Sequence, residues 1–136
     1  MIETFNARLL ALLLICLLPM VGCKSRTQVT APQPIPIEGI EKPKVEGALR
    51  TAIPKRGWAV DTKQGQVITA SNLIRGRHKV VVDIDYASDA ILIQYADSEN
   101  MDYVKEGDVE YIHKNYNVWV NYLRQDIAAE ISTLRF

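Results

Sequence analysis

Residues 78–86 read HKVVVDIDY, and within them Val80, Val82, Ile84 and Tyr86 alternate with Lys79, Val81, Asp83 and Asp85. A strand turns successive side chains to opposite faces, so this spelling predicts one apolar face on a core and one polar face toward water, the arrangement of an antiparallel sheet. The flanking segments share it. Trp58, Val60 and Thr62 alternate with Ala59 and Asp61, Lys63-Gln64-Gly65-Gln66 reads as a hairpin loop with Gly65 in the left-handed position, and 66–73 is rich in β-branched Val67, Ile68 and Thr69. Arg75-Gly76-Arg77 turns into the central strand, Ala87-Ser88-Asp89 turns out of it, and Ile91, Ile93 and Tyr95 line one face of a fourth strand.

Helical periods flank these strands. Val45, Ala48, Leu49, Ala52 and Ile53 form one amphipathic stripe, with Pro43 suited to its start. Pro54 lacks an N–H, so the last turn is expected to be tight or broken, and Gly57 supplies the stop. At the other end Tyr116, Trp119, Val120, Leu123, Ile127, Ile131 and Leu134 keep helical spacing behind Asn115 as N-cap. The expectation is an α+β domain over 45–136: two layers, a four-stranded antiparallel sheet with both helices on one face, in the order helix-β-β-β-β-helix. By topology it resembles helix-grip or TBP-like modules, and through them the small domains of outer-membrane assembly lipoproteins; such a resemblance implies a fold, not an activity. Between the fourth strand and the last helix, 97–114 is aperiodic and longer than most connections, with a small hairpin possible at Glu106-Gly107-Asp108.

Ahead of the domain, 24–44 carries Pro32, Pro34, Pro36 and Pro43. Alternate prolines favour extended polyproline II at about 3.1 Å per residue, so 23–44 reads as a tether reaching up to roughly 60 Å. Its alternative is an edge strand at Pro36-Ile37-Glu38-Gly39-Ile40, since an edge tolerates proline.

Residues 9–23 read LLALLLICLLPMVGC, preceded by Arg8. A charged entry, an apolar centre of about 10 residues and small residues at the end make a secretory signal, too short for a spanning helix of roughly 20. The ending at Cys23 resembles the lipobox of bacterial lipoprotein precursors, with Met20 where leucine is commonest. The alternative is an ordinary signal or an uncut anchor helix. The lipoprotein resemblance implies removal of 1–22, lipidation of Cys23, and a membrane partner reached through several acyl chains. Lys24 after the cysteine implies an outer-membrane location facing the periplasm. The stretch IHKNYNVWV at 112–120 resembles small uncharacterised bacterial envelope lipoproteins, which implies no activity.

With 1–22 removed, 114 residues remain with balanced charge, the full chain holding 16 basic and 16 acidic side chains. A nucleic-acid binder would show a basic stripe, so none is expected. Cys16 leaves with the signal and Cys23 is lipidated, so no thiol remains for catalysis, a disulfide or a metal. No Gly-x-Ser-x-Gly or glycine-rich phosphate loop occurs, and His78 falls on the strand face opposite Asp83 and Asp85, so neither a catalytic set, a metal site nor a cofactor is expected. A hydrolase would need His113 to converge with Asp97 or Ser98.

One polar and aromatic group remains: Tyr95, Asp97, Asn100, Tyr103, His113, Asn115 and Tyr116, all flanking 97–114. Rings that stack beside groups that orient suit a small ligand or a cell-wall fragment. The plain alternative makes the tyrosines core and the other residues turns and a cap. The outer face of the sheet, where Val67 or Ile68, Val81 and Leu92 interrupt Lys79, Asp83, Asp85 and Gln94, is the other candidate surface. The functional expectation is a lipid-anchored, non-enzymatic binding or scaffold module for an envelope protein partner or cell-wall component, with ligand binding at Tyr95–Tyr116 as its alternative.

Overall fold

The computed structural model describes residues 25–136. Cys23 and the signal segment 1–22 lie outside the described residues. The chain is α+β, with two helices and two antiparallel sheets. The four expected strands are β3 (Ala59–Gln64), β4 (Val67–Ile74), β5 (His78–Asp85) and β6 (Ala90–Glu99). Val80, Val82, Ile84 and Tyr86 are buried as their alternation requires. Gly65 at φ 58° turns β3 into β4, and Arg75 and Gly76, both at positive φ, turn β4 into β5.

The expectation of a single four-stranded sheet is corrected in two ways. Ile35–Pro36 adds a fifth strand, β2, giving the order β2-β6-β5-β4-β3, and a separate three-stranded sheet joins β1 (Arg26–Gln28), β8 (Val109–His113) and β7 (Val104–Glu106). The tether reading of 23–44 is corrected with it, because 26–40 lies on the domain. Arg26 pairs with His113 and Gln28 with Tyr111, while Ile35 pairs with Ile91. Ile35 and Ile37 are buried, and the Ile37 N–H donates to the Asp89 carbonyl at 2.8 Å. The prolines alternate with these apolar residues at a sheet edge, where a missing N–H costs little. Side chains hold the same segment to the last helix: Arg124 Nε donates to the Gln33 carbonyl at 2.8 Å and Arg135 to the Pro36 carbonyl at 2.8 Å.

Helix α1 (Lys42–Ala52) has Pro43 in its first turn and presents Val45, Ala48, Leu49 and Ala52 to the core. It tightens into a 3-10 turn at Ile53–Arg56 around Pro54 and stops at Gly57, φ 84°. Helix α2 (Tyr116–Thr133) buries Tyr116, Val120, Leu123, Ile127 and Ile131. The Asn115 side chain makes no capping bond, contrary to expectation. Both helices join Ile68, Ala70, Val80, Val82, Ile84, Ile91 and Ile93 in one core, leaving the other face of the five-stranded sheet uncovered. The 97–114 segment is more ordered than its composition suggests: β6 runs to Glu99, and Gly107 at φ 62° closes the β7–β8 hairpin.

Candidate ligand-binding groove

The site grows from a one-residue irregularity in β6. Tyr95 pairs with Val82 on the core face, but the register shifts at Val81/Val82, so Asp97 pairs with Val81 and faces outward. The inserted Ala96 is a bulge, and it parts Asp97 from Tyr95, two residues that simple alternation would have put on one face. Beyond Glu99 the backbone reverses through Asn100 and Asp102, at φ 55° and 50°. That reversal lays Tyr103 over Tyr95, rings 4.7 Å apart and 10° from parallel, while Tyr116 meets Tyr95 edge-on at 5.8 Å.

The phenols are fixed from the far side. Tyr103 donates its O–H to Glu110 Oε1 at 2.7 Å, and Tyr95 Oη and Ser98 Oγ lie 3.0 Å apart. The bond to Glu110, aided by burial, pushes the Tyr103 phenol up to about 12. Burial raises Tyr95 and, more strongly, Tyr116. All three phenols are therefore neutral at ordinary pH. Beside the stack an open groove of about 420 Å³ is lined by Val29, Ala31, Gln94, Tyr95 and Glu110, so the N-terminal segment forms one wall. Tyr103 is 37% exposed, which leaves part of its surface to water. An aromatic ring, a carboxylate and an amide converge here with two small apolar residues, a composition suited to orienting a small polar ligand.

The remaining expected residues form a second group. His113, on β8, packs 5.5 Å from His78 and stacks on Trp119, 10° from parallel. The His78 ring nitrogen Nδ1 lies 2.8 Å from the Asn100 carbonyl, and the Asn100 amide donates to the Arg77 carbonyl at 3.0 Å. The Asn115 N–H donates to His113 Nδ1 at 3.3 Å. The seven expected site residues thus divide: Tyr103 and Tyr116 pack on Tyr95, which lines the groove, Asn100, His113 and Asn115 brace the turn and helix start around two histidines, and Asp97 accepts the Ser98 N–H at 2.8 Å. His113 makes its contacts with His78, Asn115 and Trp119, and Ser98 Oγ is held by Tyr95, so neither Asp97 nor Ser98 meets the histidine. Among the described residues no three His, Cys, Asp or Glu side chains converge as a metal site would need.

Glu110 and the wall residues Val29 and Ala31 escaped the sequence reading, and Gln94 reads there only as part of the outer sheet face. Glu110 could have been found from the β7–β8 hairpin, where it falls seven residues after Tyr103, but Val29 and Ala31 sit in a stretch that reads as linker. Comparison with protein-family models, with curated proteins and with solved structures finds no match to this chain.

Proposed function

We propose that this chain is a lipid-anchored, non-enzymatic binding module of the bacterial cell envelope, tied through Cys23 to the outer membrane on its periplasmic side. The observation that carries the binding part is the stacked Tyr95–Tyr103 pair, with Glu110 fixed beside an open groove. The anchor part is supported by the order of charge, apolar run and small residues ending at Cys23. The ligand class is a cell-wall fragment or a short polar peptide, with the exposed part of Tyr103 and the Glu110 and Gln94 side chains as contacts. The packing of α1 and α2 on one face of β3 to β6 supports, as part of the same proposal, kinship with helix-grip or TBP-like modules.

Amide chemical-shift mapping with soluble peptidoglycan fragments tests the groove. Shifts should cluster at Val29, Gln94, Tyr95, Tyr103 and Glu110, and Tyr103→Ala should weaken binding about tenfold, on the scale of one lost aromatic contact. Shifts scattered elsewhere, or none at millimolar fragment, would remove this site. Intact-mass measurement of the membrane-extracted protein tests the anchor: a mass beginning at Cys23 with added acyl chains is expected, and an unmodified or full-length chain overturns it.

A further inference from the structure

The outer face of the five-stranded sheet, which meets the groove at Gln94, gathers acidic side chains. Its members follow from register. Asp83 lies between Thr69 and Gln94, Asp85 between Val67 and Leu92, Val81 between Ser71 and Asp97, and Lys79 between Leu73 and Glu99. Asp61 joins them from β3, because its Oδ1 accepts the Ser71 hydroxyl at 2.9 Å. Five carboxylates therefore share this face with one ammonium. Among the described residues Lys79 pairs with Glu99 at 3.1 Å, whereas Asp61, Asp83, Asp85 and Asp97 have no cation within ion-pair reach. Their partners are neutral: the Thr69 hydroxyl donates to Asp83 at 2.6 Å, and the Ala87 and Ser98 N–H groups donate to Asp85 and Asp97 at 2.8 Å each.

The helical side is arranged differently. Glu46 pairs with Arg50 and Lys63, Glu130 with Lys55, and Asp126 with Arg56, all involving the helices and the 3-10 turn. On the helical side the acidic groups named are paired, whereas on the sheet face only Glu99 is paired, with Lys79 acting on Asp61 and Asp97 at longer range. Apolar side chains interrupt the acidic face: Leu73 is 60% exposed and Leu92 36%. Like charges held together oppose folding by mutual repulsion, and their field attracts a cationic surface and steers its approach. An anionic lipid surface would be repelled by the same field.

We propose that this uncovered sheet face docks a protein partner presenting a lysine- and arginine-rich strip, the Leu73 and Leu92 side chains supplying apolar contact between the charges. The partner's cations replace the pairing that Asp61, Asp83, Asp85 and Asp97 lack among the described residues.

Photo-crosslinking residues placed at Thr62 and Val67 in the full chain, in cells, test the docking, with Val118 and Tyr122 on α2 as controls. Adducts from the sheet positions should map to a Lys/Arg-rich segment of one protein and fall at least fivefold when Asp61, Asp83, Asp85 and Asp97 are all changed to Asn. In vitro, a twelve-residue peptide of alternating Lys and Ser should bind the full chain and shift amides of β4, β5 and β6. Its affinity should drop about tenfold between 50 and 200 mM salt, as screening of several exposed charges requires. The same four changes should raise the melting temperature, because they relieve repulsion, which separates a docking loss from unfolding. Adducts mapping to neutral or acidic segments, adducts that persist in the Asn variant, equal capture from the helix controls, or no adduct from the sheet positions would each overturn the proposal.

Discussion

Tyr86 shows how one side chain links the core to the charged surface. Its ring is almost fully buried, and its O–H donates to Glu46 Oε2 at 3.1 Å, on a carboxylate that also receives Lys63 and Arg50. Bonding to Lys63 and then Arg50 holds Glu46 below the ordinary carboxylate range, while burial and then the Glu46 bond push Tyr86 up to about 12. The two signs act at opposite ends of the pH scale. Glu46 favours the fold above the ordinary carboxylate range, and that contribution disappears as pH falls through its lowered value. Tyr86 favours the fold below its ordinary value near 10, and its contribution disappears as pH rises from there through about 12. Tyr86→Phe should therefore cost about 1 kcal/mol at pH 8, the worth of one hydrogen bond, and the gap to the wild type should close above pH 10. Urea denaturation of both proteins from pH 7 to 11.5 checks this; a gap that stays constant with pH would mean that the hydroxyl is not held by Glu46.

Among the elements, those with strong internal periodicity could be read from the sequence and those held by backbone pairing could not. β5 and β6 announced their core faces because Val80, Val82, Ile84, Ile91 and Ile93 recur every second residue. α1 and α2 did so through their apolar stripes, and Pro54 and Gly57 marked the 3-10 turn and its end. β1 reads Arg-Thr-Gln and offers no alternation, and β2 has two residues, one of them proline, so neither carries a side-chain signal of its own. The candidate groove was half legible for the same reason: its tyrosines stand out, but the Ala96 bulge and the wall of Val29 and Ala31 depend on pairings between distant segments. β2, which overlaps the edge strand that the sequence allows at 36–40 as the alternative to a tether, makes a sharp prediction. Ile35 is 4% exposed against Ile91, so Ile35→Ala should cost about 2–5 kcal/mol, the range for truncating a buried isoleucine. The same change in a free tether would cost nothing. Leu49→Ala in α1, fully buried, gives the reference value in the same thermal or urea experiment.

For the whole molecule, the docking of 26–40 changes how an anchor at Cys23 would present the domain. β1 begins at Arg26, three residues beyond Cys23, and three residues span at most about 10 Å. A domain tethered by 20 free residues could sample roughly 60 Å of periplasm; one that starts pairing at Arg26 is held against the bilayer. With that proposed anchor, the Ser25 end of the β1-β8-β7 sheet would lie nearest the lipid, where the Lys114 N–H is bonded to the Ser25 carbonyl at 3.0 Å and Arg26 stands beside it. Two basic side chains at that margin favour contact with anionic headgroups, which the acidic sheet face would resist. A fluorophore at position 102, next to Met101 whose carbonyl accepts the His113 N–H at the Ser25/Lys114 end of the sheet, should therefore be quenched by headgroup-labelled lipid when the lipidated protein is reconstituted in vesicles. Inserting 20 Gly/Ser residues between Lys24 and Ser25 should reduce that quenching several-fold while leaving membrane association intact, whereas Cys23→Ala should abolish association altogether. Equal quenching with and without the insert would show that the domain's own surface, and not the short span from Cys23 to β1, sets its distance from the membrane.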